Sequence, residues 1–273
     1  MAIENTKRLD ELIDELNELI GLKGVKSTVS DMINLIKISK LRKEQGLPET
    51  PVCYHMVFTG NPGTGKTTVA RLLAEIYKEL GLILQGHLVE TDRAGLVAGF
   101  VGQTAIKVTE VVEKAKGGVL FIDEAYSLSR SSDSADFGKE AIDTLVKLME
   151  DNREDLIVIV AGYCDEMKVF IDANSGLASR FNKYIDFPDY TIDELMDIYR
   201  LMSSKNGFLT SEAALKKINE YIFENMKNSK KFGNARGVRN YFEKIIINQA
   251  NRLVKTENPD KFSLMTIEKE DCR

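Results

Sequence analysis

The chain has 273 residues, of which 43% are hydrophobic, so it can bury a core for one large domain or for a medium domain plus a small one. Its formal net charge of -5 argues against a sequence-independent nucleic-acid binder, which needs concentrated lysine and arginine. No apolar run approaches the length of a membrane span, and three widely spaced cysteines suit a reducing compartment. We therefore expect a cytoplasmic protein that binds no nucleic acid and no membrane.

The N-terminal segment is predicted to form two amphipathic helices. From Leu9 to Ile20, apolar residues recur on one helical face and acidic residues occupy the other. The apolar face packs either on the helix's own domain or against a neighbouring subunit, and the sequence leaves both open. After a glycine-containing break, a second helix is predicted to carry a buried face made of Val29, Met32, Ile33, Ile36 and Ile38.

A phosphate-binding loop is predicted at Gly60–Thr67, which reads GNPGTGKT and fits the pattern Gly-x-x-x-x-Gly-Lys-Thr. A short apolar strand, His55–Thr59, precedes it, and a helix from Thr68 to Leu80 follows it. Glycines let backbone N–H groups surround a phosphate, and the N-terminal end of the helix favours the same negative charge. The candidate residues for binding the nucleotide here are Asn61, Pro62, Gly63, Thr64, Gly65, Lys66, Thr67 and Thr68.

Within this loop, two side chains have predicted roles. Lys66 is expected to reach the β- and γ-phosphates of a nucleotide, and the Thr67 hydroxyl is expected to ligate Mg²⁺. The loop therefore predicts a bound nucleotide together with Mg²⁺.

An aromatic residue between two glycines follows a second predicted strand, His87–Thr91. The segment 98–104 reads AGFVGQT. Glycines on both sides give the backbone freedom and little local packing, so Phe100 is poorly placed to be an ordinary core side chain. We expect an exposed aromatic on a loop, where it can grip a partner. The alternative is a turn in which Phe100 folds back into the core.

Two acidic residues follow the next predicted strand. The continuous apolar run of residues 119–122 is typical of a central strand in a parallel sheet, and Asp123 and Glu124 come directly after it. Ligands bind at the carboxyl edge of such sheets. Asp123 is expected to hold the magnesium shell, and Glu124 is expected to orient and polarise a water for attack on the γ-phosphate.

The rest of the chain first continues the strand–helix alternation and then becomes helical. Further strands are predicted at Leu156–Tyr163 and Tyr184–Pro188, which gives an α/β fold with a five-stranded, doubly wound parallel sheet. After Pro188 the pattern predicts helices only. Arg236 and Arg239 stand at the start of one of these helices, where a positive charge opposes the helix dipole. Either they pair with local carboxylates, or one of them reaches the nucleotide.

Together these segments resemble an AAA+ ATPase. Within that superfamily the chain is similar to the group containing stage V sporulation protein K and the CbbX-type red Rubisco activases, through the segments Gly99–Ala105, Phe121–Leu128, Ala161–Tyr163, Ile185–Tyr190 and Gly233–Arg239. The resemblance implies a homo-oligomeric ring, usually a hexamer, with nucleotide bound between subunits. It also implies that Phe100-Val101-Gly102 is a pore loop, which pulls on a protein client.

The resemblance implies two further roles, and the change of pattern after Pro188 divides the chain. Arg180 matches the arginine finger, which makes Lys66, Glu124 and Arg180 the candidate catalytic residues, and Arg236 matches the sensor 2 arginine. Tyr163 stands where many AAA proteins carry a polar sensor, often asparagine. Either its hydroxyl takes the place of that sensor, or the positioning of water depends more on Glu124. The expected parts are an N-terminal amphipathic helix (residues 1–20), an α/β nucleotide-binding subdomain (residues 21–188) and a small C-terminal all-α lid (residues 189–273).

The expected function is an ATP-hydrolysing ring motor that remodels a protein partner or threads it through a central pore. The alternative is a nucleotide-gated scaffold or switch with little mechanical activity. A small-molecule P-loop kinase or a helicase-loader ATPase is disfavoured by the Phe100 loop and by the acidic charge balance. The sequence does not name the protein client.

Overall fold

The computed structural model describes residues 2–48, 52–100, 102–129 and 137–273, with the backbone alone for residues 2–6. By its internal contacts the chain divides into two compact units. Unit 1 comprises Met1–Gly60 and Gly65–Phe187, and unit 2 comprises Asn61–Thr64 and Pro188–Arg273. The tip of the predicted phosphate-binding loop therefore belongs to unit 2, whereas the strand before the loop and the helix after it belong to unit 1.

Unit 1 alternates strands with helices. Its helices are α1 (Ala2–Glu18), α2 (Lys23–Glu44), α3 (Lys66–Glu79), α4 (Arg93–Leu96), α5 (Gln103–Ala115), α6 (Phe137–Asp151), α7 (Cys164–Asp172) and α8 (Ser175–Arg180). Its strands are β1 (Met56–Gly60), β2 (Leu88–Thr91), β3 (Gly118–Ile122), β4 (Leu156–Gly162) and β5 (Lys183–Phe187). A 3₁₀ turn, Ala125–Ser129, follows β3.

The strands of unit 1 form one parallel sheet in the order β2-β3-β4-β1-β5. In its middle Val57 of β1 pairs with Val160 of β4 on one side and with Tyr184 of β5 on the other. Strands β3 and β4 are buried along their whole length, as expected for strands covered on both faces. The predicted five-stranded parallel sheet is thereby confirmed. All five carboxyl ends lie along one edge of it.

The two N-terminal helices cover unit 1 through their apolar faces. Helix α1 packs on α3 and buries Leu9, Leu12 and Leu16, so its apolar face is covered within its own unit. Helix α2 buries five residues, Val25, Val29, Met32, Ile33 and Ile36. The expectation that Ile38 shares this face is wrong, since its side chain is 55% exposed. Two residues advance an α-helix by about 200°, so Ile36 and Ile38 point in opposite directions.

Unit 2 is mainly helical. Its helices are α9 (Ile192–Lys205), α10 (Glu212–Met226), α11 (Ser229–Phe232), α12 (Asn234–Leu253) and α13 (Lys261–Met265). Two short strands, β6 (Leu209–Thr210) and β7 (Thr266–Ile267), pair in parallel, and a 3₁₀ turn, Lys269–Asp271, follows β7. The sequence prediction of helices did not include this strand pair, because two residues are too few to leave an alternating pattern.

Local hydrogen bonds close the ends of unit 2. A capping box is present at the start of α9, where the Thr191 hydroxyl accepts from the Glu194 backbone and the Glu194 carboxylate accepts from the Thr191 backbone. At the C-terminus, Arg252 donates to the buried Asp271 carboxylate at 2.8 Å. Among the described residues no helix has both the length and the apolar character that crossing a bilayer requires.

The buried His55, directly before β1, couples folding to pH. Its Nδ1 accepts a hydrogen bond from the Val158 backbone N–H at 3.0 Å. Burial, and secondly the charge of Arg180, lower the pKa of His55 from 6.5 to about 4. The unfolded chain therefore binds a proton at a higher pH than the folded chain does. The free energy of unfolding must fall as the pH drops from 6.5 towards 4.

We predict that replacing His55 flattens this pH dependence. His55 alone should remove about 3 kcal/mol of stability over the interval, at about 1.36 kcal/mol for each pH unit. Urea denaturation between pH 4 and pH 7 measures the effect. His55→Gln, whose side-chain oxygen can accept the same hydrogen bond, should lose less stability on acidification. Parallel pH profiles for the two proteins would contradict this role of His55.

Candidate nucleotide-binding site

The phosphate-binding loop begins at Gly60 in unit 1, where there is no room for a side chain. Gly60 ends β1 with φ +143°, and a Cβ there would lie 2.3 Å from the Phe187 carbonyl oxygen. Gly65, with φ 98°, precedes the first residue of α3. The Lys66 ammonium donates to the Gly60 carbonyl at 2.8 Å, which draws the lysine across the loop. A lysine beside the N-terminus of a 14-residue helix is suited to a phosphate group.

The tip of the loop is held by residues of unit 2. Asn61 Nδ2 lies 3.0 Å from both carboxylate oxygens of Asp189. The Thr64 hydroxyl is buried and donates to the Asn61 carbonyl at 2.8 Å, and the Tyr190 hydroxyl donates to the Thr64 carbonyl at 3.3 Å. The tip thus contacts residues that lie more than a hundred positions later in the chain, directly after β5.

The backbone of the tip also packs closely against residues 233–236 of the same unit. Gly63 has φ +71°, and a Cβ there would lie 2.1 Å from the Gly233 carbonyl oxygen and 2.9 Å from the Arg236 nitrogen. The Ala235 N–H donates to the Gly63 carbonyl at 3.2 Å. Only glycine fits at this point. This adds a packing reason for Gly63 to the phosphate-binding reason that the sequence supplies.

The two predicted acids lie in the turn after β3, at the carboxyl edge of the sheet. Both side chains are exposed. The Asp123 N–H donates to the Thr91 carbonyl at 2.8 Å, which joins the turn to the end of β2. Glu124 has φ 47°, a left-handed backbone that costs a residue with a Cβ about 1–2 kcal/mol. Its N–H donates to Asp123 Oδ1 at 3.0 Å. The turn therefore fixes the backbone from which both carboxylates project.

The groups expected to hold magnesium carry oxygen atoms, the type of ligand that this ion prefers. Among the residues that the structure describes, no cluster of three or more histidine, cysteine, aspartate or glutamate side chains could hold a metal by itself. Mg²⁺ is commonly bound by one or two protein oxygens together with substrate phosphates. The Thr67 hydroxyl and the Asp123 carboxylate are oxygen ligands of this kind. Thr68 follows Thr67 in the first turn of α3 and is exposed.

Tyr163 follows β4 at the same edge of the sheet. It is half-buried, and its ring centroid lies 5.8 Å from that of Tyr126 in the turn after β3. The ring contact joins the ends of two neighbouring strands. The use of its hydroxyl as the polar sensor stays a prediction.

Arg180, the last residue of α8, is engaged within its own chain. Its guanidinium donates to the Glu150 carboxylate at 2.9 Å and to the Gly176 carbonyl at 3.2 Å. The side chain is 23% exposed, whereas that of Glu150 is 56% exposed. The partner of Arg180 is thus a solvated carboxylate, whereas Arg180 itself is mostly buried.

Phe100 projects from the loop before α5 and is 72% exposed. The alternative in which it folds back into the core is therefore wrong. A Cβ on Gly99 or Gly102 would meet no atom within 4 Å in the described part of the chain, so the segment stands clear of its neighbours. Val101, the second predicted residue of the pore loop, lies outside the described residues.

The base of this loop is fastened on both sides. The buried Thr104 hydroxyl accepts from the Ala98 N–H at 3.1 Å. The Lys107 ammonium donates to the carbonyls of Ala94 at 2.6 Å and Val97 at 3.1 Å. These hydrogen bonds hold the segments on either side of the loop that carries Phe100. Neither Thr104 nor Lys107 was predicted as a functional residue.

Arg236 and Arg239 are exposed on the first turns of α12. In the described parts of the chain neither of them forms an ion pair with a carboxylate. Of the two alternatives that the sequence left open, pairing with local carboxylates is therefore not observed. Two uncompensated cations at a helix N-terminus favour an anionic ligand.

Sequence reasoning missed the groups that hold the loop tip, which are Asp189, Tyr190 and Asn234. All three belong to the segments on which the family resemblance rests, Ile185–Tyr190 and Gly233–Arg239. That coincidence was the only available signal. Neither segment contains a pattern that points to the loop.

Two family models match the chain. The model described as "ATPase family associated with various cellular activities (AAA)" matches residues 56–189, and the model described as "AAA lid domain" matches residues 191–273. The chain belongs to the AAA ATPase family. Membership implies ATP binding and hydrolysis, and proteins of this family typically assemble into rings.

Two curated relatives and one solved structure agree with this assignment. Stage V sporulation protein K of Bacillus subtilis (strain 168) is 47% identical over 232 residues, which cover 84% of this chain and 72% of that protein. The chloroplastic ribulose bisphosphate carboxylase/oxygenase activase of Cyanidioschyzon merolae (strain NIES-3377 / 10D) is 45% identical over 233 residues, which cover 85% and 79%. The predicted resemblance to this group is confirmed.

The solved structure is the FIGL-1 AAA domain in complex with ADP. It superposes with a TM-score of 0.62 at 16% identity, covering 92% of this chain and 80% of that one. At this identity the likeness shows the fold alone. The fold class predicted from the sequence, an AAA+ α/β domain followed by a helical lid, is confirmed.

We predict that Gly63→Ala disrupts the loop and that Gly24→Ala does not. The Cβ of alanine at position 63 would collide with the Gly233 carbonyl oxygen. The left-handed φ at this position would cost alanine a further penalty of about 1–2 kcal/mol, the usual amount for a residue with a Cβ. Gly24 has an ordinary φ and no atom within 4 Å of an added Cβ in the described chain. ATP affinity, measured by calorimetric titration, should fall by at least about tenfold for Gly63→Ala and stay unchanged for Gly24→Ala. Equal affinities would contradict the steric argument.

Proposed function

We propose that this chain is the subunit of an ATP-driven ring, usually a hexamer, that remodels a protein client or threads it through a central pore. The proposal is carried by Phe100, an aromatic side chain 72% exposed on a loop with a fastened base, in a chain whose family hydrolyses ATP. Many apolar side chains are exposed on this chain, so exposure alone assigns no role. What favours Phe100 is its place on a loop between two glycines, in the segment whose resemblance to a pore loop implies contact with a client.

The proposed chemistry uses the groups along the carboxyl edge of the sheet. ATP, when bound with Mg²⁺, supplies the β–γ phosphoanhydride bond that is broken. Lys66 neutralises negative charge on the phosphates, and Thr67 and Asp123 provide oxygen ligands for the ion. Glu124 orients a water molecule and accepts its proton during the attack on the γ-phosphate. Arg236 in unit 2 is the further candidate cation for the nucleotide.

Arg180 is proposed to complete the reaction in a neighbouring subunit. A cation supplied in trans stabilises transition-state charge and is worth about 10³ to 10⁵ in rate. In the described chain Arg180 pairs with the exposed Glu150, and in this proposal it leaves that pair to reach the phosphate of the neighbouring subunit. On this account a subunit alone is a poor ATPase, and assembly into the ring switches hydrolysis on.

The proposed client is a protein, and the compartment is the cytoplasm. One relative is named an activase of ribulose bisphosphate carboxylase/oxygenase, so that relative acts on a protein. The net charge of -5 disfavours nucleic acid as the substrate.

We predict that Phe100→Ala separates ATP turnover from client handling. The substitution leaves Lys66, Asp123 and Glu124 untouched, so the basal ATPase rate should stay within about twofold of the wild type. Client capture should be lost. The assay is co-purification from the native host on a Glu124→Gln background, which arrests hydrolysis, with proteins identified by mass spectrometry.

The matched control is Phe262→Ala, which removes another exposed phenylalanine, 65% accessible, from α13. It should keep the captured protein. A protein captured equally with and without Phe100 would contradict the pore-loop assignment. A wild-type hydrolysis rate equal to that of Glu124→Gln would favour the nucleotide-gated scaffold instead.

We predict that Arg180→Ala and Glu124→Gln complement one another. Each variant alone should be inactive, because one lacks the finger and the other lacks the base. In a mixed ring, an Arg180→Ala subunit next to a Glu124→Gln subunit has both groups at one interface. Random equal mixing should recover roughly a quarter of wild-type hydrolysis, since each head-to-tail interface needs one particular pair of neighbours. Absence of any recovery would show that Arg180 acts within its own subunit.

A further inference from the structure

Asn234 occupies an unusual position at the first residue of α12. It is fully buried, and its φ of 50° is left-handed, directly after Gly233 with φ 80°. Its side-chain amide both donates and accepts hydrogen bonds. Nδ2 donates to the Asp189 carboxylate at 2.8 Å and to the Pro62 carbonyl at 3.3 Å, and Oδ1 accepts from the Tyr190 N–H at 3.1 Å.

The Asp189 carboxylate makes this contact part of a network. It accepts from Asn234 and also from Asn61 Nδ2 at 3.0 Å. A polar network in a buried position is stable only when its members are satisfied, and here each amide meets an acceptor. The network joins the loop tip to two segments of unit 2 that are themselves 45 positions apart.

The joints of the loop coincide with glycines. Residues 61–64 belong to unit 2, so the chain leaves unit 1 after Gly60 and returns to it at Gly65. Their φ values are 143° and 98°, a region open to glycine and rarely used by other residues. The loop therefore has a tip fastened by partly buried hydrogen bonds and a glycine at each end.

We propose that Asn234 is a positioning residue for nucleotide binding, which with Asp189 fastens the tip of the phosphate-binding loop to unit 2. The inference rests on the proposed function only in taking this loop as the ATP site. Asn234 is buried and acts through the loop, unlike the exposed Arg236, which is the candidate for direct contact. The conformation of the loop is thereby set by the lid residues that hold its tip.

The position demands asparagine on chemical grounds. The side chain must donate twice and accept once, and the backbone must be left-handed, which asparagine tolerates better than other residues with a Cβ. Glycine keeps the backbone conformation but lacks the amide. Aspartate cannot donate when it is ionised, and it would bring a second negative charge next to Asp189.

The test compares Asn234→Gly with Asn258→Gly in the full chain. Asn258 also has a left-handed φ, 54°, but its side chain is exposed, so the control makes the same backbone change without removing a buried amide. The first measurement, without nucleotide, is hydrogen exchange at the Ala235 amide, whose acceptor is the Gly63 carbonyl. The second is the Kd for ATP. Thermal melting shows that both variants are folded.

We expect Asn234→Gly to speed exchange at Ala235 by about tenfold or more and to weaken ATP binding by about fivefold or more, because the network that holds the loop tip loses three hydrogen bonds, one of them made directly to Pro62. Asn234→Asp should be at least as damaging, and Asn258→Gly should match the wild type in both measurements. A folded Asn234→Gly protein whose exchange and Kd equal those of Asn258→Gly would overturn the proposal. Failure of the wild type itself to bind ATP would instead refute the proposed function, while the exchange comparison would still decide whether Asn234 fastens the loop.

Discussion

The structure depends on one backbone constraint, the passage of the chain from β1 into α3. A side chain at position 60 would collide with the Phe187 carbonyl oxygen, and one at position 63 would collide with the Gly233 carbonyl oxygen. The loop from Gly60 to Gly65 brings Lys66, the first residue of α3, to the end of the buried strand β1. The N-terminus of α3 points at the same place. A phosphate site built from backbone needs its loop to be rigid, because any freedom in the free state has to be removed on binding.

The parallel sheet gathers the remaining chemistry at one edge. Asp123 and Glu124 follow β3, Tyr163 follows β4, and the phosphate-binding loop follows β1. Each of these groups lies at the carboxyl end of its strand, where open α/β sheets bind their ligands. Phe100 lies elsewhere in unit 1, on a loop fastened by Thr104 and Lys107. Chemistry and the proposed grip on a client therefore use different segments of the same unit.

Most of unit 1 could be predicted from the sequence, because its strands are continuous apolar runs and its phosphate-binding loop has a fixed residue pattern. Contacts between distant residues could not. The pair Asp189 and Asn234 is 45 positions apart, and Arg180 and Glu150 are 30 apart, so neither leaves a local pattern. The buried face of α2 was misjudged at Ile38, where periodicity alone did not define the edge of the face. The strand pair β6–β7 was too short to detect.

The central claim is that ATP hydrolysis needs two copies of this chain. The most direct measurement is the specific ATPase rate of the wild-type protein across a range of concentrations, with sedimentation velocity recording the assembled fraction at each point. The account predicts that the rate per subunit rises in step with the assembled fraction and is at least about 10³-fold lower for the monomer, as expected when an arginine acts in trans. A monomer that hydrolyses ATP as fast as the assembly would contradict it.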